Sequence, residues 1–309
     1  MTEPWAEILM ATYNGGQYVR AQLDSILAQR SDRWHLTVSD DGSTDGTQEI
    51  LDEYAARYPD RITRHDSGQR FGQACAHFLH LMSQCDAPFM LFCDQDDVWR
   101  SEKVGKLLDA LERTEAELGQ DTPILVFSDL TPVNERLEPL AESMMAYQNQ
   151  RTDAFDYRAL LMQNVVTGGA MGINRALARL ASRAGTAAEI VMHDWWAAIV
   201  AARFGRIVYI PEPLSLYRQH GDNSVGAQNV RSAGYIVRRL TDLRRVRRFL
   251  TDKKRQAALF ARVYGAQVGD EDASFLNGFT RSRSGPWFYW HHRALIQGFW
   301  RLAGMMLCG

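Results

Sequence analysis

The stretch Phe89-Met90-Leu91-Phe92-Cys93-Asp94-Gln95-Asp96-Asp97 joins five apolar residues to three carboxylates. An unbroken apolar run of this length predicts a strand buried on both faces, as in a parallel sheet covered by helices. The carboxylates then lie at the strand's carboxyl end, where open α/β sheets bind their ligands.

On the amino-terminal side, strand and helix signals alternate. Glu7–Ala11 predicts a strand and Tyr13-Asn14-Gly15-Gly16 a turn. Gln17–Gln29 spaces Val19, Leu23, Ile26 and Leu27 as one helical face. Trp34–Ser39 is a second strand, Asp40–Gly46 a loop, and Thr47–Tyr58 a helix with Ser43, Thr44 or Asp45 available to cap it. Arg61–His65 and Gly72–Met82 repeat the pattern, and beyond the acidic motif Ser101–Glu117 and Ile124–Phe127 do so again. The alternation predicts an α/β fold with a mostly parallel sheet flanked by helices.

After about residue 130 the pattern changes. Thr131–Arg151, with Pro132 and Pro139, reads as irregular, and Gly168–Ile173 as a glycine-rich turn entering a strand. Ala187–Arg203 is helical in part and Arg206–Ile210 strand-like. From about Asn229 a basic helical region runs into an aromatic tail, Pro286–Leu307.

At 309 residues and a net charge of -2, the chain has ordinary globular composition but uneven charge. Arg231 to Arg262 holds eleven Lys/Arg against two Asp, so the remainder is acidic. No segment approaches the roughly 18 apolar residues of a membrane span, and the first residues lack a signal-peptide pattern. Cys75, Cys85, Cys93 and Cys308 form no CxxC pair, which fits a reducing cytoplasm with free core thiols.

Asp94 and Asp96 are two residues apart, so on an extended chain their side chains point the same way. Converging carboxylates repel unless a cation lies between them. Oxygen ligands suit Mg²⁺ or Mn²⁺, which bind diphosphates while using few protein ligands. A helix-capping acidic loop before Ser101 is the plainer alternative for an isolated DxD. The string Asp94-Gln95-Asp96-Asp97-Val98 also fits the DxDx[TV] pattern of haloacid-dehalogenase-like phosphohydrolases, with Asp94 as nucleophile. Three strand-like segments precede it here, whereas that motif normally ends the first strand.

Three stretches together resemble family 2 glycosyltransferases of the GT-A fold. They are Ile8-Leu9-Met10-Ala11-Thr12-Tyr13-Asn14-Gly15, Val38-Ser39-Asp40-Asp41-Gly42-Ser43-Thr44-Asp45-Gly46-Thr47 and Phe92-Cys93-Asp94-Gln95-Asp96-Asp97-Val98-Trp99. The nearest likeness is to bacterial rhamnosyltransferases of surface-polysaccharide assembly, and it covers about residues 5–225. The resemblance implies a GT-A catalytic domain over 1–226 and a basic, aromatic helical extension over 227–309. It implies a dTDP- or UDP-linked sugar donor, with rhamnose the sugar it points to, and a saccharide or lipid-linked oligosaccharide acceptor.

The resemblance also assigns roles. Thr12, Tyr13 and Asp41 line the nucleotide pocket, with Asp41 on the base; Asp-Asp-Gly-Ser is equally ordinary turn chemistry. Arg70 is placed to reach a phosphate, or is a surface arginine. Asp94 and Gln95 contact the nucleotide. Asp96 is the firmer metal ligand, joined by Asp94 and by His220 of Leu216-Tyr217-Arg218-Gln219-His220. Arg218 is suited to neutralising the departing diphosphate. Asp194 in Met192-His193-Asp194-Trp195-Trp196 matches the family's catalytic base, although the family often has Glu where His193 stands. Gly168 and Gly169 resemble the turn on which a sugar rests, and Trp195 and Trp196 are suited to sugar C–H faces. An N-cap aspartate with core tryptophans is the competing reading.

The basic run Arg238, Arg239, Arg244, Arg245, Arg247, Arg248, Lys253, Lys254 and Arg255 suits anionic headgroups or a lipid diphosphate. Trp287, Phe288, Tyr289, Trp290, Phe299 and Trp300 suit a membrane interface, or dock on the catalytic domain. These features predict a cytoplasmic protein peripheral to the inner face of the membrane. No nucleic-acid module accompanies the basic run, and no GxGxxG follows the first strand.

Overall fold

The β-branched and aliphatic runs form eight strands, in the order β3-β2-β1-β4-β7-β6-β8-β5, in a computed structural model. It describes residues 6–152, 155–185, 188–221, 243–281, 285–297 and 299–308. The strands are β1 (Ala6–Thr12), β2 (Trp34–Asp40), β3 (Ile62–Arg64), β4 (Phe89–Cys93), β5 (Val98–Trp99), β6 (Ile124–Val133), β7 (Met171–Asn174) and β8 (Arg206–Arg218). Strands β1 to β4 pair in parallel, and so do β6 and β8. The antiparallel members are β7, between β4 and β6, and the short β5, on β8. The architecture is that of the GT-A fold, as the resemblance implies.

Helices α1 (Val19–Leu27), α2 (Thr47–Arg57), α3 (Ala74–Gln84) and α4 (Lys103–Leu118) follow the first four strand units. They are succeeded by α5 (Met144–Tyr147), α6 (Tyr157–Met162), α7 (Arg175–Ala181) and α8 (His193–Phe204). Alternation along each strand divides the core between the two sheet faces. Ile8, Met10, Leu36, Leu91, Cys93 and Val126 pack with α1, α2 and α4. Leu9, Met90, Phe92, Leu125 and Phe127 pack on the other face with α3, α7 and α8. Every residue of β4 is buried, as its unbroken apolar run predicts.

Three local expectations change. Thr131–Arg151 is not wholly irregular: β6 continues through Pro132, whose carbonyl accepts from the Leu140 N–H, and α5 follows. β8 runs to Arg218, eight residues beyond the expected end at Ile210, through Pro211 and Pro213. β5 was not expected at all. A proline lacks only the N–H, so the strands continue wherever pairing uses the carbonyl. The α2 cap is shared: Gly46 occupies the cap position at φ 90, while the Asp45 carboxylate accepts from the Thr47 N–H at 3.2 Å.

The extension is helical, as expected. Its helix Leu243–Tyr264 buries Val246, Leu250, Phe260 and Tyr264 against the α8 side of the core, joined by Phe275, Phe279 and Tyr289. Part of the aromatic tail therefore docks, whereas Trp287 is 81% exposed and Trp290 47%. Arg244, Arg247 and Arg248 are exposed, but Lys253 is buried and donates to the Met162 carbonyl. The expected boundary at 226/227, Arg238 and Arg239 lie outside the described residues, as do the side chains of Arg245, Phe299 and Trp300. Among the described residues no helix is long and apolar enough to cross a membrane.

Candidate active site

Parallel pairing brings the carboxyl ends of β1, β2 and β4 to one edge of the sheet, and the expected residues gather there. Thr12 closes β1, and its hydroxyl donates to the Asp40 carboxylate at 2.8 Å. Asp40 also accepts from the Gly42 and Ser43 N–H groups and from the Ser43 hydroxyl. The two loops are further fastened by Asn14 N–H to Ser43 Oγ, Gly15 N–H to Thr47 Oγ1 and Gly16 N–H to Asp45 Oδ2. Asp40, for which the sequence reading offered no role, organises this loop pair. Asp41 is buried, and its oxygens accept from the Phe71 and Gly72 N–H groups at 2.6 and 2.7 Å. Its carboxylate is thus fixed, with its remaining lone pairs free for a further donor.

Tyr13 is 57% exposed, and its backbone N–H and carbonyl are both paired by the Gln95 side-chain amide at 2.9 Å. Gln95 therefore ties the acidic motif to the β1 loop. Arg70 lies across Gly42 and donates to its carbonyl at 3.2 Å. It lines a shallow cleft with Asp40, Gln48, Asp52, Arg64 and His65 that includes none of Asp94, Asp96 or Asp194.

Asp94, Asp96 and Asp97 span the connection from β4 to β5. Because β5 pairs with β8, the end of β8 is carried alongside the motif. His220 Nε2 lies 2.7 Å from Asp96 Oδ2, and its ring packs against Tyr18. Asp97 is fully buried; its Oδ1 accepts from the Arg218 N–H at 3.1 Å, while its Oδ2 has no hydrogen-bond partner among the described residues. Burial, then the charges of Asp96 and Asp94, push Asp97 well above the ordinary carboxylate range. Burial, then the charges of Asp96 and Asp194, raise Asp94 to about 7.

Arg218 ends β8 beside the same motif. Its side chain is buried and donates to the backbone carbonyls of Asp96 and Glu135, so its described bonds brace the motif. This bracing contact stands beside the expected part in neutralising the diphosphate, which the two bonds leave as a proposal.

Asp194 sits in the first turn of α8, where the helix end favours a carboxylate. Its Oδ2 accepts from the Gly168 N–H at 2.8 Å, and its Oδ1 faces Asn164 Nδ2 at 3.4 Å. Burial raises its pKa to about 7, against the Trp195, Gly168 and Asn164 donors, which lower it. Such a carboxyl is poised for proton transfer near neutrality. His193 has no hydrogen bond to this group among the described residues. It stacks on Phe78 at 4.3 Å, and burial lowers its pKa to about 3, so it is a neutral packing residue.

Trp195 and Trp196 differ from expectation. They are 3% and 0% exposed, and their indole N–H groups donate to the carbonyls of Leu160 and Ala181. Rings buried on both faces offer no platform to a sugar; both belong to the core beneath the site.

The glycine turn joins the two acidic centres. Gly168 donates to Asp194, and Gly169 lies directly against the Asp94 carboxylate. A Cβ on Gly168 would stand 2.8 Å from His193 Nε2, and one on Gly169 would stand 2.8 Å from Asp94 Oδ2 and 3.2 Å from Asp97 Oδ2. Only glycine admits this approach. Sequence reading missed Lys103, which looks like a solvent-facing first-turn residue but is fully buried, with its ammonium donating to the Gly169 carbonyl. It also missed Asn164, for which no local pattern exists.

Among the described residues no group of three or more His, Cys, Asp or Glu is arranged to hold a metal ion. The donors present are the Asp94 and Asp96 carboxylates and the His220 imidazole, which meets Asp96. That donor set fits a hard cation, because Mg²⁺ commonly takes one or two carboxylates together with a substrate's own phosphates.

A family model described as Glycosyl transferase family 2 matches residues 7–180. The dTDP-rhamnosyl transferase RfbG of Shigella flexneri is 29% identical over 227 residues, spanning 71% of this chain and 74% of the relative. Among solved structures, S. aureus TarS 1-349 in complex with UDP-GlcNAc superposes with a TM-score of 0.55 at 14% identity, covering 94% of this chain and 83% of that one. The mannosyltransferase PcManGT from Pyrobaculum calidifontis, in complex with GDP-Man and Mn²⁺, gives 0.52 at 15% identity, covering 100% and 88%. At these identities the two structures speak to the fold alone.

Proposed function

Because the chain belongs to glycosyl transferase family 2, we propose that it moves a sugar with inversion from a dTDP- or UDP-linked donor to a saccharide or lipid-linked oligosaccharide. The observation that carries this reading is the Gly168–Gly169 turn, which bonds a base-like carboxyl on one side and packs against the acidic motif on the other. The likeness to a dTDP-rhamnosyl transferase favours rhamnose as the sugar and surface-polysaccharide assembly as the setting. The phosphohydrolase alternative is overturned by the family match, and Asp94 ends the fourth strand in chain order instead of the first.

In the proposed arrangement Thr12, Tyr13 and Asp41 hold the nucleotide base end, where a fixed carboxylate accepts the imino N–H of a pyrimidine. Asp96, Asp94 and His220 hold Mg²⁺ or Mn²⁺ with the diphosphate, and Gln95 keeps the motif against the β1 loop. When bound, the cation neutralises charge on the departing nucleoside diphosphate. Asp194 takes the acceptor hydroxyl's proton as that oxygen attacks the anomeric carbon from the face opposite the leaving group. Exposed Trp287, Trp290, Arg247 and Arg248 support peripheral contact with the cytoplasmic face of the membrane.

A thermal-shift panel of nucleotide sugars with Mg²⁺ or Mn²⁺ tests the donor. dTDP- and UDP-sugars are expected to stabilise the protein and to yield nucleoside diphosphate on transfer. Preference for GDP- or ADP-sugars, or release of inorganic phosphate from simple phosphomonoesters, overturns the reading. Gly169→Ala is expected to cut transfer by about tenfold or more, because the new methyl displaces Asp94. Turnover at the wild-type rate would show that Asp94 need not hold its place.

A further inference from the structure

Resting on this glycosyltransferase reading, we propose that Lys103 is a positioning residue that sets the placement of Asp194 relative to Asp94 by anchoring the Gly168–Gly169 turn that lies between them. Lys103 is fully buried at the start of α4. Its ammonium donates to the Gly169 carbonyl and to Ser215 Oγ at 2.7 Å, and lies 3.9 Å from the centre of the Trp99 ring. Its donors are thus met by two oxygens and one aromatic face, with β8 and β5 forming the far wall.

The grip matters because of what the same turn does on its other side. Gly168 directs its N–H at Asp194, and Gly169 packs directly against Asp94, so that a Cβ there would stand 2.8 Å from Asp94 Oδ2. Neither residue has a side chain, so nothing but the backbone's own bonds fixes the turn's rotation. Holding the Gly169 carbonyl anchors the Gly169–Ala170 peptide, whose own N–H is bonded to the Thr167 carbonyl, and so fixes where the two glycines lie. Burying an ammonium is costly without strong partners, so a lysine used merely as filler would be out of place at a position flanked by Val104 and Trp99. Lys103 acts through the turn and touches no reacting atom.

The test is Lys103→Met, which keeps the side chain's length and removes its donors, with Lys103→Arg and Ser215→Ala as companions. The readouts are Tm, nucleoside-diphosphate affinity by calorimetry, the kcat and donor KM of transfer, and the pH profile. The expected result for Lys103→Met is a kcat lower by about ten- to a hundredfold, as misplacement of a reacting group costs, with affinity within about twofold. The acid limb of the profile should move upward, since Asp194 loses a well-aimed Gly168 donor. An unchanged kcat and acid limb, or a loss confined to Tm or nucleotide affinity, overturns the proposal. If Lys103→Met does not fold, Ser215→Ala decides: the same directions at smaller size support the role, and wild-type kinetics overturn it. A wild-type protein that transfers no sugar would instead sink the glycosyltransferase reading itself, so the two failures are distinct.

Discussion

Asp194→Asn is expected to lower transfer by about 10²–10⁴-fold, the range a positioned general base supplies, while nucleotide-sugar affinity stays within about twofold. The amide keeps the shape of the carboxyl and retains an oxygen for the Gly168 N–H, but it cannot take a proton. The prediction carries a pH signature. Burial holds the Asp194 pKa near 7, so the base is ionised only above that value. The wild-type rate should therefore rise with pH through about 7 and level off, and the residual rate of Asp194→Asn should lack that limb. Stability runs the other way. A carboxyl whose folded pKa is raised favours the folded state at low pH, and that advantage is lost as pH rises through about 7. Asp194→Asn should thus melt at or above the wild-type temperature at pH 8. Undiminished transfer by the variant would sink the assignment.

Asp96→Ala is expected to remove the Mg²⁺- or Mn²⁺-dependent part of nucleotide-sugar binding and, with it, transfer. Asp96 meets His220 at 2.7 Å, and burial, then the crowding charges of Asp96 and Asp194, raise the Asp94 carboxyl. Removing Asp96 relieves that crowding but deletes one of the carboxylates best placed for a diphosphate-bound cation. Calorimetry with dTDP in the presence of Mn²⁺ and of EDTA measures the difference. Metal-dependent affinity equal to wild type would argue that Asp96 is a structural partner of His220 alone.

Which parts of the site were legible follows from how each residue is held. Asp94 and Asp96 announce themselves because they directly follow an unbroken apolar strand, and strand ends face ligands. Asp41, Asp194 and His220 are candidates through motif resemblance alone, and the structure brings Asp194 to the acidic motif through the glycine turn and His220 into direct contact with it. Trp195 and Trp196 were misplaced, since adjacency in sequence to Asp194 says nothing of which helix face each ring takes. Lys103 was missed because the start of a helix is ordinarily wet, and only the approach of β8 and Gly169 buries it.

The sequence by itself determined the layers and the order of the elements. Side-chain period and turn chemistry are local properties, and for the first four strand–helix units the observed bounds follow the expected ones within a few residues. The tertiary structure alone decided the inner geometry of the site. Parallel pairing gathers Thr12, Asp40 and the acidic motif at one sheet edge. The β5–β8 pair delivers His220 and Arg218, and the Gly168–Gly169 turn couples Asp94 to Asp194 under the hold of Lys103. Most of these contacts join residues tens of positions apart through backbone carbonyls and N–H groups, which every residue type but proline carries in full and no sequence pattern marks.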